Sequence, residues 1–393
     1  MKRIYLDHCA TTPVRPEVLR EMLPFFRGGF GNPSSIHSRG KAAREAVEKA
    51  RASAAALIGA KSSEIVFTSG GTESDVLAIR GIAEASGKKG GHIVTCGIEH
   101  PAVLNTCRRL EREGFKVTYL PVDSRGSLDP VAVQQALTDN TILISIMHGN
   151  NELGTIEPIE EIGKAARQKG IAFHTDAVQT VGKVPVEVER LNVDLLSFSG
   201  HKINGPKGVG ALYIRQGLKI SPLLTGGHQE RDLRAGTENV PAIAGFGTAC
   251  DIAARLMPSH AKKMSALRNS LQRQILNICP DLQVNGHPEK RLPHILSVSL
   301  PGVPAEDIVI GLDRLGVDVS AGSACTAGTV KISHVMQAVG MQPEVAQGTV
   351  RWSVGYGNSE KEISRAAELF AAVVEKLKTM RELEASLGGR RCV

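Results

Sequence analysis

Ser199-Gly200-His201-Lys202 closes an apolar run, Val193-Asp194-Leu195-Leu196, with small polar residues. This is how a buried strand delivers one lysine to a turn at a pocket. A lysine amine whose pKa is lowered by burial or neighbouring cations forms Schiff bases with carbonyl cofactors, although a solvated lysine after a strand has the same local sequence. Asp176 ends a second apolar run, 171–175, where a carboxylate either holds a proton on a ring nitrogen or caps the next helix; Gln179 follows within reach of a ring substituent. Thr68-Ser69-Gly70-Gly71-Thr72-Glu73-Ser74 fits a phosphate cup at a helix N-terminus, and equally an ordinary capped turn.

Four further residues carry chemical potential. His100 follows a strand in Glu99-His100-Pro101, where an imidazole stacks on a ring, moves protons, or serves only the turn. His148-Gly149-Asn150-Asn151-Glu152 offers the same choice at another strand end. Cys325 lies among small residues, Ser320-Ala321-Gly322-Ser323-Ala324 before it and Thr326-Ala327-Gly328-Thr329 after it, which predicts an accessible, mobile loop bearing one thiol. Cys96, Cys107, Cys250 and Cys279 sit in apolar or helical contexts, whereas Cys9 and Cys392 are expected nearer the surface. Arg351, flanked by apolar residues in Thr349-Val350-Arg351-Trp352-Ser353, suits either a carboxylate fork or an internal ion pair.

Positioning these groups takes an α/β frame. Apolar runs at 64–68, 92–96, 116–120, 142–146, 171–175, 194–198 and 209–214 alternate with helical patterns at 74–84, 101–113, 130–137 and 159–169, and several runs are continuous, as strands covered on both faces are. A further helix is expected over 41–58. After about Ser259 the texture changes to a long helical pattern through Ile278, short strands near 282–284 and 295–299, and helices near 305–315 and 360–380. The expected division is a large domain over 15–258 and a smaller α+β domain from 1–14 with 259–393. No repeat or low-complexity segment interrupts it.

Composition narrows the function. At 393 residues with 42% apolar content the chain exceeds one ordinary core. A net charge of +7 spread without blocks, and only 4% aromatic residues, argue against a nucleic-acid surface. Seven cysteines without a CxxC pair form neither a disulfide framework nor a zinc site, which suits a reducing cytoplasm. The N-terminus becomes polar too soon for a signal peptide, and no run reaches the ~18 apolar residues of a membrane span. No GK[ST] follows the glycines at 70–71, and those at 205–210 run into a strand, so neither a Walker loop nor a dinucleotide fingerprint is present.

In order along the chain, these motifs resemble the cysteine desulfurases, class-V aminotransferase-type enzymes of the nitrogen-fixation and iron–sulfur-assembly kind. The carriers are Tyr5-Leu6-Asp7 with Ala10-Thr11-Thr12, Phe30-Gly31-Asn32-Pro33-Ser34-Ser35-Ile36-His37-Ser38, the Thr68–Ser74 stretch, Glu99-His100-Pro101, Asn150-Asn151-Glu152-Leu153-Gly154, His174-Thr175-Asp176-Ala177-Val178-Gln179, Ser199-Gly200-His201-Lys202, Gly226-Gly227-His228-Gln229-Glu230-Arg231, Arg234-Ala235-Gly236-Thr237-Glu238-Asn239 and Gly322-Ser323-Ala324-Cys325-Thr326. The resemblance implies a PLP-dependent transferase fold of type I, with a mostly parallel seven-stranded sheet and a smaller α+β C-terminal domain.

The resemblance also implies pyridoxal 5'-phosphate bound to Lys202, with Asp176 on the pyridine nitrogen, Gln179 at the ring hydroxyl and His100 stacked on the ring. Gly71, Thr72, Ser199 and His201 would surround the phosphate, and Thr237 would reach the phosphate of the other subunit of a homodimer. Asn151 and Arg351 would receive the carboxylate of L-cysteine, with Asn151 also beside the cofactor. Cys325 would accept sulfur as a persulfide, releasing alanine, and pass it to an iron–sulfur scaffold or another acceptor protein. No intrinsic metal is implied, although Cys325 could transiently ligate a cluster during transfer. A selenocysteine lyase and a non-catalytic sulfur-carrier scaffold are the alternatives. Two departures stand out: His8-Cys9 after Asp7, and Gly355-Tyr356-Gly357-Asn358 where the family carries a second arginine.

Overall fold

The computed structural model describes residues 3–321 and 332–388. In chain order it begins with β1 (Ile4–Tyr5), α1 (Pro16–Phe26) and α2 (Ser38–Leu57), and continues through β2 (Ile65–Thr68), α3 (Gly71–Ala85), β3 (His92–Cys96), α4 (Pro101–Arg112), β4 (Lys116–Leu120), α5 (Pro130–Ala136) and β5 (Thr141–Ser145). Next come α6 (Ile159–Lys169), β6 (Ala172–Asp176), α7 (Val188–Leu191), β7 (Leu195–Ser199), β8 (Gly210–Ile214) and α8 (Val240–Ile278). The remainder is β9 (Gln283–Val284), β10 (Ile295–Ser299), α9 (Ala305–Arg314), β11 (Val317–Asp318), β12 (Ser320–Ala321), α10 (His334–Ala338), α11 (Pro343–Ala346), β13 (Thr349–Ser353) and α12 (Glu360–Gly388).

Seven strands form one sheet in the order β2-β8-β7-β6-β5-β3-β4. All pairs are parallel except those of β8, which runs antiparallel to both β2 and β7. Successive residues of each central strand enter opposite apolar layers: Val94, Ile144 and Leu196 on one face, Ile93, Leu143 and Leu195 on the other. The period of two thus explains why the strands read as unbroken apolar runs. The fold class expected from the sequence is the one found, a mostly parallel seven-stranded α/β layer.

A second core gathers Leu271, Leu296, Trp352 and Phe370 around the antiparallel sheet β12-β13-β10-β9. Ile4 and Leu6 join this core, because β1 pairs in parallel with β11. The chain therefore returns its first residues to its last third.

The helix expected to start near Ser259 starts at Val240, where Asn239 Oδ1 accepts from the Ala242 amide at 3.2 Å. Its first half reads poorly as a helix because Gly245 and Gly247 lower propensity. Packing explains them: a Cβ on Gly247 would lie 2.5 Å from Ala50 Cα of α2, and one on Gly245 would lie 2.6 Å from Met22 of α1. By length and composition α8 could cross a bilayer, yet 56% of its apolar window is buried within this fold. The helix over 16–26 was also missed, since Pro16 opens it and Pro24 lies inside it.

Candidate active site

The chemistry-bearing residues converge on a cavity of about 380 Å³ at the C-terminal ends of the parallel strands, lined by Gly71, Thr72, His100, Asn151, Asp176, Gln179, Ser199, His201, Lys202 and Arg351. Strand ends are where α/β sheets place ligands. A larger cavity lies elsewhere and holds none of these groups.

At the β2–α3 turn, the first helical bond runs from the Ser74 amide to the Gly70 carbonyl at 3.1 Å. The amides of Gly71, Thr72 and Glu73 consequently have no helical acceptor and face an anion's place. A Cβ on Gly71 would come 2.7 Å from Val178 Cγ2, so only glycine lets this turn approach the cavity. Glu73 braces the cup, accepting from the Ser69 amide at 2.8 Å and from Arg234 Nε at 2.9 Å.

His100 sits at the N-cap of α4, where Nδ1 accepts from the Ala102 amide at 3.2 Å. That bond leaves the proton of the neutral ring on Nε2. Burial, with a contribution from Lys202, pushes its pKa down, against the pull of Asp176. Asp176 ends β6, accepts from the Val178 amide at 2.9 Å and is pushed upward by burial.

Behind Asp176 lies a carboxyl that sequence reasoning missed. Asp75 is 1% exposed, lines the cavity and leaves Oδ1 without a hydrogen bond, 3.6 Å from His174 Nε2. One ligand atom each from Asp75, His100 and Asp176 lies within 4.8 Å of the others. Burial, with the charge of Asp176, pushes the Asp75 pKa well up. The available signal was an acid four residues into the helix after the cup.

Lys202 follows β7 in a single 3-10 turn, Gly200–Lys202. Its Nζ donates to the carbonyls of Cys9 and Ala10, the latter at 2.9 Å. Burial, aided by the charge of Arg351, lowers its pKa. Gln179 donates to the Cys9 carbonyl at 3.1 Å and accepts from Lys183, a buried lysine whose pKa burial lowers to about 8. His201 pairs through Nδ1 with Thr11 Oγ1 at 3.1 Å, and burial lowers its pKa to about 4.

On the opposite wall, Arg351 of β13 donates through Nη1 to the Asn151 carbonyl at 3.1 Å and through Nη2 to Asp7. Its Nε is buried without an acceptor. Asn150 is fully used by the turn, its Oδ1 accepting from the amides of Glu152 and Leu153 and its Nδ2 donating to the Ile98 carbonyl.

Not every expected residue is gathered here. Thr237 lines a separate cavity of about 300 Å³ with Phe67 and Ser69. Cys325 falls outside the described residues, as does Cys392. Cys9, expected nearer the surface, is 1% exposed, its Sγ 3.5 Å from His294 Nε2. The two departures at the N- and C-terminal motifs meet each other: a Cβ on Gly355 would lie 2.3 Å from His8 Cε1. The buried His8 ring occupies the space that a side chain at 355 would need.

The donor set fits pyridoxal phosphate: a lysine with a lowered pKa, a buried carboxyl pair for a ring nitrogen, a histidine beside them, and a glycine-floored anion cup. Fold and pocket together define a PLP-dependent enzyme of the parallel-sheet type. The model for "Aminotransferase class-V" matches residues 4–366. The chain is 50% identical to "Cysteine desulfurase IscS" of Dictyoglomus turgidum over 97% of each chain, and 49% identical to "Cysteine desulfurase IscS" of Methanosarcina thermophila over 97% of this chain and 94% of that one. A solved "NifS-like protein" superposes with a TM-score of 0.90 at 40% identity, covering 95% of this chain and 100% of its own. The chain belongs to the aminotransferase class-V family, within its cysteine desulfurase group.

Proposed function

We propose that the pocket converts L-cysteine to L-alanine and passes the sulfur to Cys325 as a persulfide. The convergence of Lys202, His100, Asp176 and Arg351 on one cavity carries this reading. Bound pyridoxal phosphate supplies an electron sink that acidifies the α-hydrogen of an attached amino acid. Lys202 would hold that cofactor, and its lowered pKa leaves Nζ able to take a proton. Asp176 holds the proton on the ring nitrogen. The free amides after Gly70, with Thr72, Ser199 and His201, hold the phosphate.

The guanidinium of Arg351, with Asn151 beside it on the cavity wall, orients the substrate carboxylate. His100, which lines the same cavity, would move protons through Nε2. In the transfer step the Cys325 thiolate attacks the substrate sulfur. A sulfur–sulfur bond forms, the carbon–sulfur bond breaks, and its electron pair stays with the substrate carbons, which are then protonated to alanine. Cys325 lies outside the described residues, and its part rests on its sequence setting.

Thr237 serves the second subunit of a homodimer, and the sulfur goes to an iron–sulfur scaffold or another acceptor protein of the cytoplasm. The relatives named cysteine desulfurase support a role in sulfur transfer. Alanine and sulfide are measured with a thiol reductant for wild type and Cys325→Ala. Equal amounts of both products are expected from wild type, and a coloured, cofactor-loaded but inactive variant. Desulfurase activity that survives the substitution would sink the mechanism.

A further inference from the structure

A cavity of about 580 Å³, larger than the catalytic one, has no part in this chemistry. It lies where the 150–155 turn, the stretch 283–291 and the residues after α10 meet, with Leu153 and Met341 among its apolar residues and Gln272 and Asn285 among its polar ones. Its frame is built, not loose. The backbone of Arg291 bridges to Thr155, Thr155 Oγ1 donates to the Arg125 carbonyl at 2.6 Å, and Asn285 Nδ2 donates to Ser297 and Ser299. Gly286, at φ +85°, brings its backbone so close that a Cβ would lie 2.6 Å from the Leu153 carbonyl oxygen.

Among the described residues, the cationic side chains at this cavity form no ion pair. Arg125 and Arg291 both line it. Arg291 donates only to neutral amides, Gln272 Oε1 at 3.0 Å and Asn269 Oδ1 at 3.4 Å, and its Nε is buried with no acceptor. Next to it, the buried Arg268 donates to the Leu292 carbonyl and Asn269. Among the described residues no carboxylate pairs with either guanidinium; burial lowers both pKa values, and the charge of Arg291 helps bring that of Arg268 to about 10. Asp123 spends its Oδ1 on the amides of Arg125 and Ser127. Partly buried cations without an acid cost free energy, and an anion relieves it.

We propose that this cavity binds a small organic anion carrying an apolar body, with the anionic head on Arg291 and Arg125 and the body along Leu153 and Met341. Its volume is that of a small-molecule site. The ligand would lie behind the turn whose Asn151 lines the catalytic cavity, since Leu153 of the same turn lines this one.

The test uses cofactor-loaded enzyme and 8-anilinonaphthalene-1-sulfonate as the fluorescent probe. Saturable binding is expected, displaced by octanoate but not by octylamine, and weakened roughly tenfold in both Arg291→Gln and Arg125→Gln, as loss of one charge-assisted hydrogen bond implies. Arg125 is exposed, so its variant reports on binding even where Arg291→Gln disturbs folding. No saturable binding, equal displacement by octylamine, or binding unchanged in Arg125→Gln would overturn the assignment.

Discussion

Arg351 Nη2 donates to Asp7 Oδ1 at 2.9 Å, across a sequence separation of 344 residues. Asp7 and the Asn151 carbonyl occupy the two terminal nitrogens and hold the guanidinium plane, while Nε stays unpaired and buried. The arginine is thus oriented before substrate arrives, and orientation set in advance lowers the cost of binding.

Arg351→Lys should therefore raise KM for L-cysteine more than it lowers kcat. An ammonium keeps the charge but cannot hold Asp7, Asn151 and a carboxylate in one plane. Steady-state kinetics should show a KM increase of roughly tenfold or more, the worth of a charge-assisted hydrogen bond. An unchanged KM would remove Arg351 from substrate recognition.

His100→Gln should keep the cofactor colour and lose turnover by about 100- to 10,000-fold, the usual span for a lost acid–base group. Because burial keeps His100 neutral down to pH values below its ordinary range, the wild-type rate should hold as pH falls through 6.5. A kcat loss beginning above pH 6.5, absent from the glutamine variant, would contradict this protonation state.

Glu157 tests burial through pH. It is 3% exposed, accepts from the Leu128 amide at 2.8 Å and has Oε1 unpartnered, and burial raises its pKa from 4.5 to about 8. A carboxyl whose folded pKa exceeds its unfolded one stabilises fully below pH 4.5, and that stability is lost as pH rises through about 8. Glu157→Gln should match wild type near pH 4 and exceed it at pH 8 by on the order of 4 kcal/mol. Denaturant melts at both pH values give the comparison, and parallel pH profiles for the two proteins would refute it.

Gly355→Ala should destabilise because its Cβ meets the His8 ring, with a cost of about 1–3 kcal/mol typical of overpacking. His8→Ala opens that space, so the double variant should be more stable than the sum of the single effects predicts. Additive effects in the double-mutant cycle would mean that the two positions do not exclude each other.

Much of this architecture was written in period and punctuation. Every strand of the central sheet was located to within a residue at each end, because strands buried on both faces leave unbroken apolar runs. Lys202 and Asp176 were visible for a related reason, as polar residues placed where such runs stop. What escaped was set by packing between distant segments. Gly245 and Gly247 read as helix breakers until α2 is laid against them, and Asp75 reads as a helix-surface acid until the sheet covers it. Likewise His8 and Gly355 each looked like an isolated departure, and only contact shows them to be one.

The pairing of β1 with β11 has a consequence for synthesis. The segment whose Cys9 and Ala10 carbonyls hold Lys202 leaves the ribosome well before β11, and β1 has no strand partner until Val317–Asp318 has followed. Arg351 comes later still. Contacts this distant in sequence form late, after their loop-closure entropy has been met. A nascent chain can assemble its central sheet and α3 cup early, but it cannot close the pocket before nearly all of the chain has emerged.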